Sequence, residues 1–255
     1  MLPLRDRLPT RTFPFVNYLL VVANVVSFLW QEALAEAGYT ALGADFGFVP
    51  HTFITHPVSA APTIFTSMFM HGGWLHLGGN MLALYIFGDN IEDAIGHFRY
   101  LVFYLLGGIA AAFLQMATDP TSTIPMVGAS GAIAAVMAAY LSLYPRSPIT
   151  VLNPVPFLWL FFGLFWELPA WVIALEFFVL NLWSGLTTLV VPHGHGMSAM
   201  GNVAVFAHVG GFLAGLVLVR LFMAGRIKAS SERWNGWRPP ARRSVQDLDD
   251  PRYYR

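Results

Sequence analysis

The chain has 255 residues, of which 56% are hydrophobic and only 11% charged, with fourteen basic and fourteen acidic side chains in balance. Soluble domains run at about 45–50% apolar and about 25% charged, so this composition excludes an ordinary soluble enzyme, and the zero net charge gives no footprint for nucleic acid. The absence of cysteine excludes disulfides, thiol nucleophiles and cysteine-ligated zinc.

A helix needs about 20 apolar residues to cross the hydrocarbon core. On that length the chain divides into six spans: Phe15–Ala35, Trp74–Ile91, Tyr100–Ala117, Val127–Tyr144, Leu168–Val190 and Val203–Met223. Residues 1–14 form a polar leader, 15–223 the membrane domain, and 224–255 an Arg-rich tail broken by Pro239-Pro240 that reads as disordered. The apolar stretch Val155–Trp166 is only about 12 residues long, which suits an interfacial or re-entrant segment better than a crossing. Ala33-Leu34-Ala35 resembles a signal-peptidase site, but the apolar run before it is too long for a signal sequence.

Basic residues orient the spans. Arg5, Arg7 and Arg11 precede the first, Arg99 and Arg146 follow the second and fourth, and the other nine lie at or beyond the end of the last. Six crossings place all fourteen on the cytoplasmic side, with both termini. A seventh crossing at Val155–Trp166 would break that pattern. The expected fold is therefore an all-α polytopic bundle of six helices in a plasma or bacterial inner membrane.

This topology brings scattered polar residues to one depth. His76 and Asn80 fall near the outer end of span two, Ser130 about one turn inside the outer end of span four, and His208 about one turn inside that of span six. His76 and Asn80 are i, i+4 and share a face. His208, Gly211 and Gly215 form another face, and small residues at such spacing let helix backbones approach closely. The answering stripe on span four reads as Ser130, Ala134 and Ala138. Two such stripes in contact would put the Ser130 hydroxyl within reach of the His208 imidazole, the prerequisite for a nucleophile and its base.

A serine alone would more often bond to its own helix, and Gly128-Ala129-Ser130-Gly131 alone would more often serve helix packing. It is the combination at one depth that favours chemistry. His71, His193 and His195 suggest a metal site with His76 and His208, but no carboxylate joins them at ligand spacing, so neither metal nor cofactor is expected. Glu176 is an intramembrane acid and a functional candidate by default, yet its place in span five puts it too deep to orient His208. Asp89, Glu92 and Asp93 fall at the inner end of span two, also too distant. A Ser–His dyad is the expected catalytic unit.

The segments His71-x-x-x-x-His76-x-x-x-Asn80, Gly128-Ala129-Ser130-Gly131 and Ala207-His208-x-x-Gly211 with Gly215 resemble, in this order, the motifs of the rhomboid family of intramembrane serine proteases. The resemblance covers roughly Val16 to Met223. It implies Ser130 as nucleophile, His208 as general base, and His76, Asn80 and the Ser130 backbone N–H as oxyanion donors. His71, Gly128, Gly131, Gly211 and Gly215 would support the site. It also implies a membrane-inserted loop at Gly38–Pro62, a mobile cap and gate around spans five and six, and transmembrane proteins in the bilayer as substrates. Two departures stand out. The aromatic residue that some members place one turn after the serine, against the histidine, is Ala134 here, and the Trp-Arg pair of the first loop is absent. Rival readings are a silent rhomboid-like escort protein and a histidine-lined transporter. A transporter would be expected to show internal repeats and more midplane charge.

Overall fold

In the computed structural model, residues 2–153, 157, 163–190 and 205–224 are described, with backbone alone at 181 and 184–190. The protein is mostly helical. Its long helices are α1 (Phe15–Glu36), α6 (Trp74–Ile95), α7 (His97–Thr118), α8 (Ser130–Leu143), α9 (Ala170–Val190) and α10 (Val205–Phe222). Four short helices lie between α1 and α6: α2 (Leu42–Phe46), α3 (Pro50–Thr55), α4 (Pro57–Ala60) and α5 (Thr63–Thr66). By length and composition α1, α7 and α10 are long and apolar enough to cross a membrane.

Helix α8 is the axis of the bundle. Every residue from Gly131 to Tyr140 is buried, and α6, α7, α9 and α10 all pack against it. Its 14 residues reach only about 21 Å, short of the roughly 30 Å hydrocarbon core. Small side chains make the close packing possible. A Cβ on Gly107 would stand 2.6 Å from the Ala135 Cβ, and one on Gly131 would stand 2.5 Å from the Ala111 Cβ.

The long helices follow the expected spans, but the expectation of an all-α chain needs correction. Strands β1 (Leu2–Asp6), β2 (Pro148–Leu152) and β3 (Phe165–Pro169) form one antiparallel sheet in that order, with Leu2 opposite Leu152 and Pro148 opposite Pro169. Ile149, Thr150 and Val151 supply the β-branched core of its central strand. An Arg7–Glu167 ion pair joins the chain just after β1 to β3. The polar leader is thus built into the fold. Trp166 and Leu168, read as the end of an interfacial stretch and the start of a span, belong to β3, while most of Val155–Trp166 lies outside the described residues. So do 225–255 and the loop carrying His193 and His195.

The first loop is folded rather than plain. Phe48 and Met126 exchange backbone hydrogen bonds at 3.0 and 2.8 Å, and His51 N–H donates to the Ser122 carbonyl at 3.0 Å. Phe48, Ile64, Met68 and Ala112 form a small core beneath it. These contacts stitch 42–69 to the segment that leads into Ser130.

Candidate active site

Gly128 sets the geometry. Its φ of +124° lies where only glycine is at ease. It ends the extended segment, and α8 starts at Ser130, so Ser130 opens the helix instead of sitting one turn inside it. The N–H groups of a first helical turn have no intrahelical acceptor and lie at the positive end of the helix dipole. The Ser130 amide is one of them. Gly128 N–H donates to the Ser67 carbonyl at 2.8 Å, which fixes the loop.

Ser130 Oγ lies 2.7 Å from His208 Nε2, within hydrogen-bond range, although the two residues are 78 apart in sequence. His208 is buried. The helices meet as closely as the small-residue pattern suggests. A Cβ on Gly211 would overlap the Gly131 carbonyl, and one on Gly215 would overlap the Ala135 backbone. The closest backbone approach to α10 is thus at Gly131 and Ala135, beside the expected Ser130–Ala134–Ala138 stripe. Within that stripe Ser130 meets His208, and the Ala134 Cβ would lie 3.4 Å from a Cβ on Gly211. Ala134 and Ala138 pack with Ala174 of α9 and Phe212 of α10.

His76 comes to the same place from α6. A Cβ on Gly128 would stand 2.8 Å from the His76 ring and 3.6 Å from Ser130 Oγ, so glycine is needed here for space as well as for φ. Gly72 N–H donates to His76 Nδ1 at 3.4 Å, which leaves Nε2 to carry the proton of a neutral ring. That Nε2 is among the ring atoms nearest Gly128. One turn along, Asn80 is buried and its Nδ2 has no hydrogen-bond partner among the described residues. An unpaired buried amide costs about 1–3 kcal/mol.

These groups share one cavity of about 850 Å³, bounded by α6, α8, α9 and α10. His76, Asn80, Gly128, Ser130 and His208 line one part, and Ala83, Phe87, Met137 and Ile173 carry it towards the sheet end. Glu176 also lines it, and its neighbour Phe177 lies against His208 with ring centroids 5.7 Å apart. Glu176, expected to be too deep to orient His208, lines the same cavity as the paired serine and histidine.

His71 does not line the cavity. It is fully buried behind the site, its ring edge-on to His76 at 5.1 Å between centroids. Two glutamines that carry no sequence signal hold the surroundings. Gln31 of α1 clamps the His71 backbone, donating to its carbonyl at 2.6 Å and accepting from its N–H at 3.1 Å. Gln115 of α7 accepts from Ala207 N–H at 3.1 Å, fixing the turn that presents His208.

The family model described as "Rhomboid domain" matches residues 59–225, which include all of these side chains except Gln31. The chain belongs to the rhomboid family. This rhomboid is 36% identical over 103 residues to rhomboid protease AarA of Providencia stuartii, a match covering 35% of this chain and 37% of that one. Over 150 residues it is 31% identical to Rhomboid protein 1, mitochondrial, of Saccharomyces cerevisiae, covering 56% and 43%. Over 128 residues it is 29% identical to rhomboid protease GluP of Bacillus subtilis, covering 50% and 24%. The chain spans less than half the length of each of these relatives.

Proposed function

We propose that this rhomboid is an intramembrane serine endopeptidase that cleaves transmembrane segments of other membrane proteins. The observation that carries this reading is the 2.7 Å approach of His208 Nε2 to Ser130 Oγ at the wall of a cavity also lined by His76 and Asn80. The surviving pair favours a protease over a silent escort protein of the same fold.

In this reading His208 takes the Ser130 proton as the hydroxyl oxygen attacks the substrate carbonyl. The oxyanion of the tetrahedral intermediate is held by the Ser130 N–H, His76 Nε2–H and Asn80 Nδ2–H. Collapse of the intermediate passes the proton from His208 to the leaving amine and leaves an acyl-enzyme. A water, deprotonated by His208, then releases the acid and regenerates the serine. The cavity gives that water a place below the membrane surface. Six helices cross the bilayer, the sheet and both termini lie on the cytoplasmic side, and the dyad opens towards the other side of a plasma or bacterial inner membrane. A helix must unwind before its peptide bond can be attacked, because its backbone in lipid is otherwise fully paired. The substrate is therefore a transmembrane segment with helix-breaking residues near its outer end.

Purified protein in detergent with a labelled transmembrane substrate tests the assignment. Wild type should cleave and label with a fluorophosphonate, whereas Ser130→Ala and His208→Ala should lose at least about 1000-fold in kcat. Robust cleavage by either variant would remove the dyad.

A further inference from the structure

Helix α9 touches α10 through two adjacent rings. Phe177 faces the His208 imidazole, with centroids 5.7 Å apart and planes inclined at 48°, and Phe178 faces Phe212 at 5.0 Å and 40°. Both centroid separations lie in the 4.5–7 Å range of favourable aromatic pairs. His208 and Phe212 are i, i+4 on α10, so the two contacts fix α9 along α10 by a full turn. The alanines at 134, 138 and 174 leave the room into which these rings fit.

A histidine side chain turns about two bonds, and the observed combination aims Nε2 at Ser130 Oγ. The hydrogen bond to the hydroxyl favours that combination, but it is given up each time the proton moves. Something else must then keep the ring in place. Among the described residues Phe177 puts an aromatic ring in contact with His208, and its own position is fixed from the sheet end. Strand β3 runs directly into α9, where Ala170 N–H donates to the Ser147 carbonyl at 2.8 Å and Trp171 N–H to the Pro145 carbonyl at 3.0 Å. Phe177 stands about 10 Å, two turns, beyond that anchor.

We propose that Phe177 is a positioning residue for His208, holding the imidazole in the orientation in which it serves Ser130. The inference rests on the proposed protease function. It makes α9 part of the mounting of the base, so that the helix bounding the substrate cavity also governs the readiness of the dyad.

Steady-state cleavage of a labelled transmembrane substrate by wild type, Phe177→Ala, Phe177→Tyr and Phe178→Ala tests this, alongside fluorophosphonate labelling rates and thermal midpoints. Because a misplacement of about 1 Å can cost about 100-fold, Phe177→Ala should lose about 10- to 100-fold in kcat. Its KM should stay within about twofold of wild type, and its labelling should slow in proportion. Phe177→Tyr, which restores the ring, should recover most of the rate. Phe178→Ala removes a neighbouring helix contact without touching His208, and should lower the thermal midpoint while leaving kcat within about twofold. If Phe177→Ala fails to fold, Phe177→Leu keeps the bulk without the aromatic face and carries the same expectation. An unchanged kcat in Phe177→Ala, a change in KM alone, or an equal kcat loss in Phe178→Ala would overturn the inference while leaving the protease reading intact. A wild type that neither cleaves nor labels would overturn both.

Discussion

Two clusters of buried polar side chains sit at opposite ends of α6, about 24 Å apart by helical rise from His76 to Glu92, and they are built on opposite terms. At the sheet end most of the groups bond one another, although Asn90 Oδ1 has no partner among the described residues. Glu92 is fully buried and accepts from the N–H groups of Val16 and Asn17 at 3.0 and 2.7 Å, capping the first turn of α1, while its Oε1 pairs with His97 at 2.5 Å. Asp93 accepts from the Thr12 N–H and hydroxyl, Tyr140 and Asn90 both donate to Asp6 at 2.7 Å, and Tyr100 donates to Asn17. At the other end His76, Asn80, Ser130 and His208 line a cavity, and Asn80 Nδ2 stays unpaired. The difference teaches how to weigh a polar residue in an apolar helix. Bonded into its neighbours it holds the fold, and turned towards an open space it is available for chemistry.

Substitutions at the two ends should therefore separate activity from stability. After the dyad itself, the largest effect is expected at Asn80. Replacing it with alanine should cost about 100–1000-fold in kcat if its amide holds the oxyanion. The same change removes an unpaired buried donor, so the thermal midpoint should hold or rise. A variant that keeps its rate would count against the oxyanion role, and one that melts much earlier would show that Asn80 belongs with the structural cluster.

Glu92→Ala should behave in the opposite way. It strands two buried N–H groups of α1 and the His97 partner, and should lower the unfolding free energy by about 3 kcal/mol. Cleavage per folded molecule, measured below the melting transition, should stay near wild type. A stable but inactive Glu92→Ala would mean that the two ends are coupled and the contrast is wrong.

The smallest effect is a pH dependence confined to the sheet end. Burial pushes the Asp6 carboxyl up to about 6, opposed in part by the hydrogen bond from Tyr140. The unfolded chain releases that proton near pH 3.9, so the native state holds it more tightly. The resulting stabilisation is complete below about pH 4 and is lost as pH rises through about 6. The thermal midpoint should fall slightly across that interval, and Asp6→Asn should flatten that part of the curve. An identical slope in the variant would remove Asp6 as its source.

Much of this was legible in the chain because membrane helices announce themselves by composition and length. The long helices start and stop within a few residues of the apolar runs, and α1 and α7 differ from them by three residues at most. The sheet was not legible. Leu2–Asp6 looks like a charged leader, and Phe165–Pro169 merges with apolar runs on both sides. The Ile149-Thr150-Val151 triplet was a β-branched signal of strand length that could have been used. Gln31 and Gln115 have no spacing rule behind them, because each reaches a backbone group of a distant segment. That Gly131 and Ala135, beside Ala134, make the closest backbone approach has a similar cause. Alanine and glycine both count as small, and only the rotation of α8 decides which face meets α10.

The sequence by itself determined the membrane class, the approximate bounds of the long helices, and the short list of candidate site residues: Ser130, His208, His76 and Asn80. Apolar length and helical spacing are local properties, so a single chain can carry them. Only the tertiary structure decided that Ser130 and His208 lie 2.7 Å apart, that Glu176 lines their cavity, and that Phe177 sits against His208. Those facts depend on how helices far apart in the chain rotate and slide against one another, which is set by the summed fit of side chains across every interface.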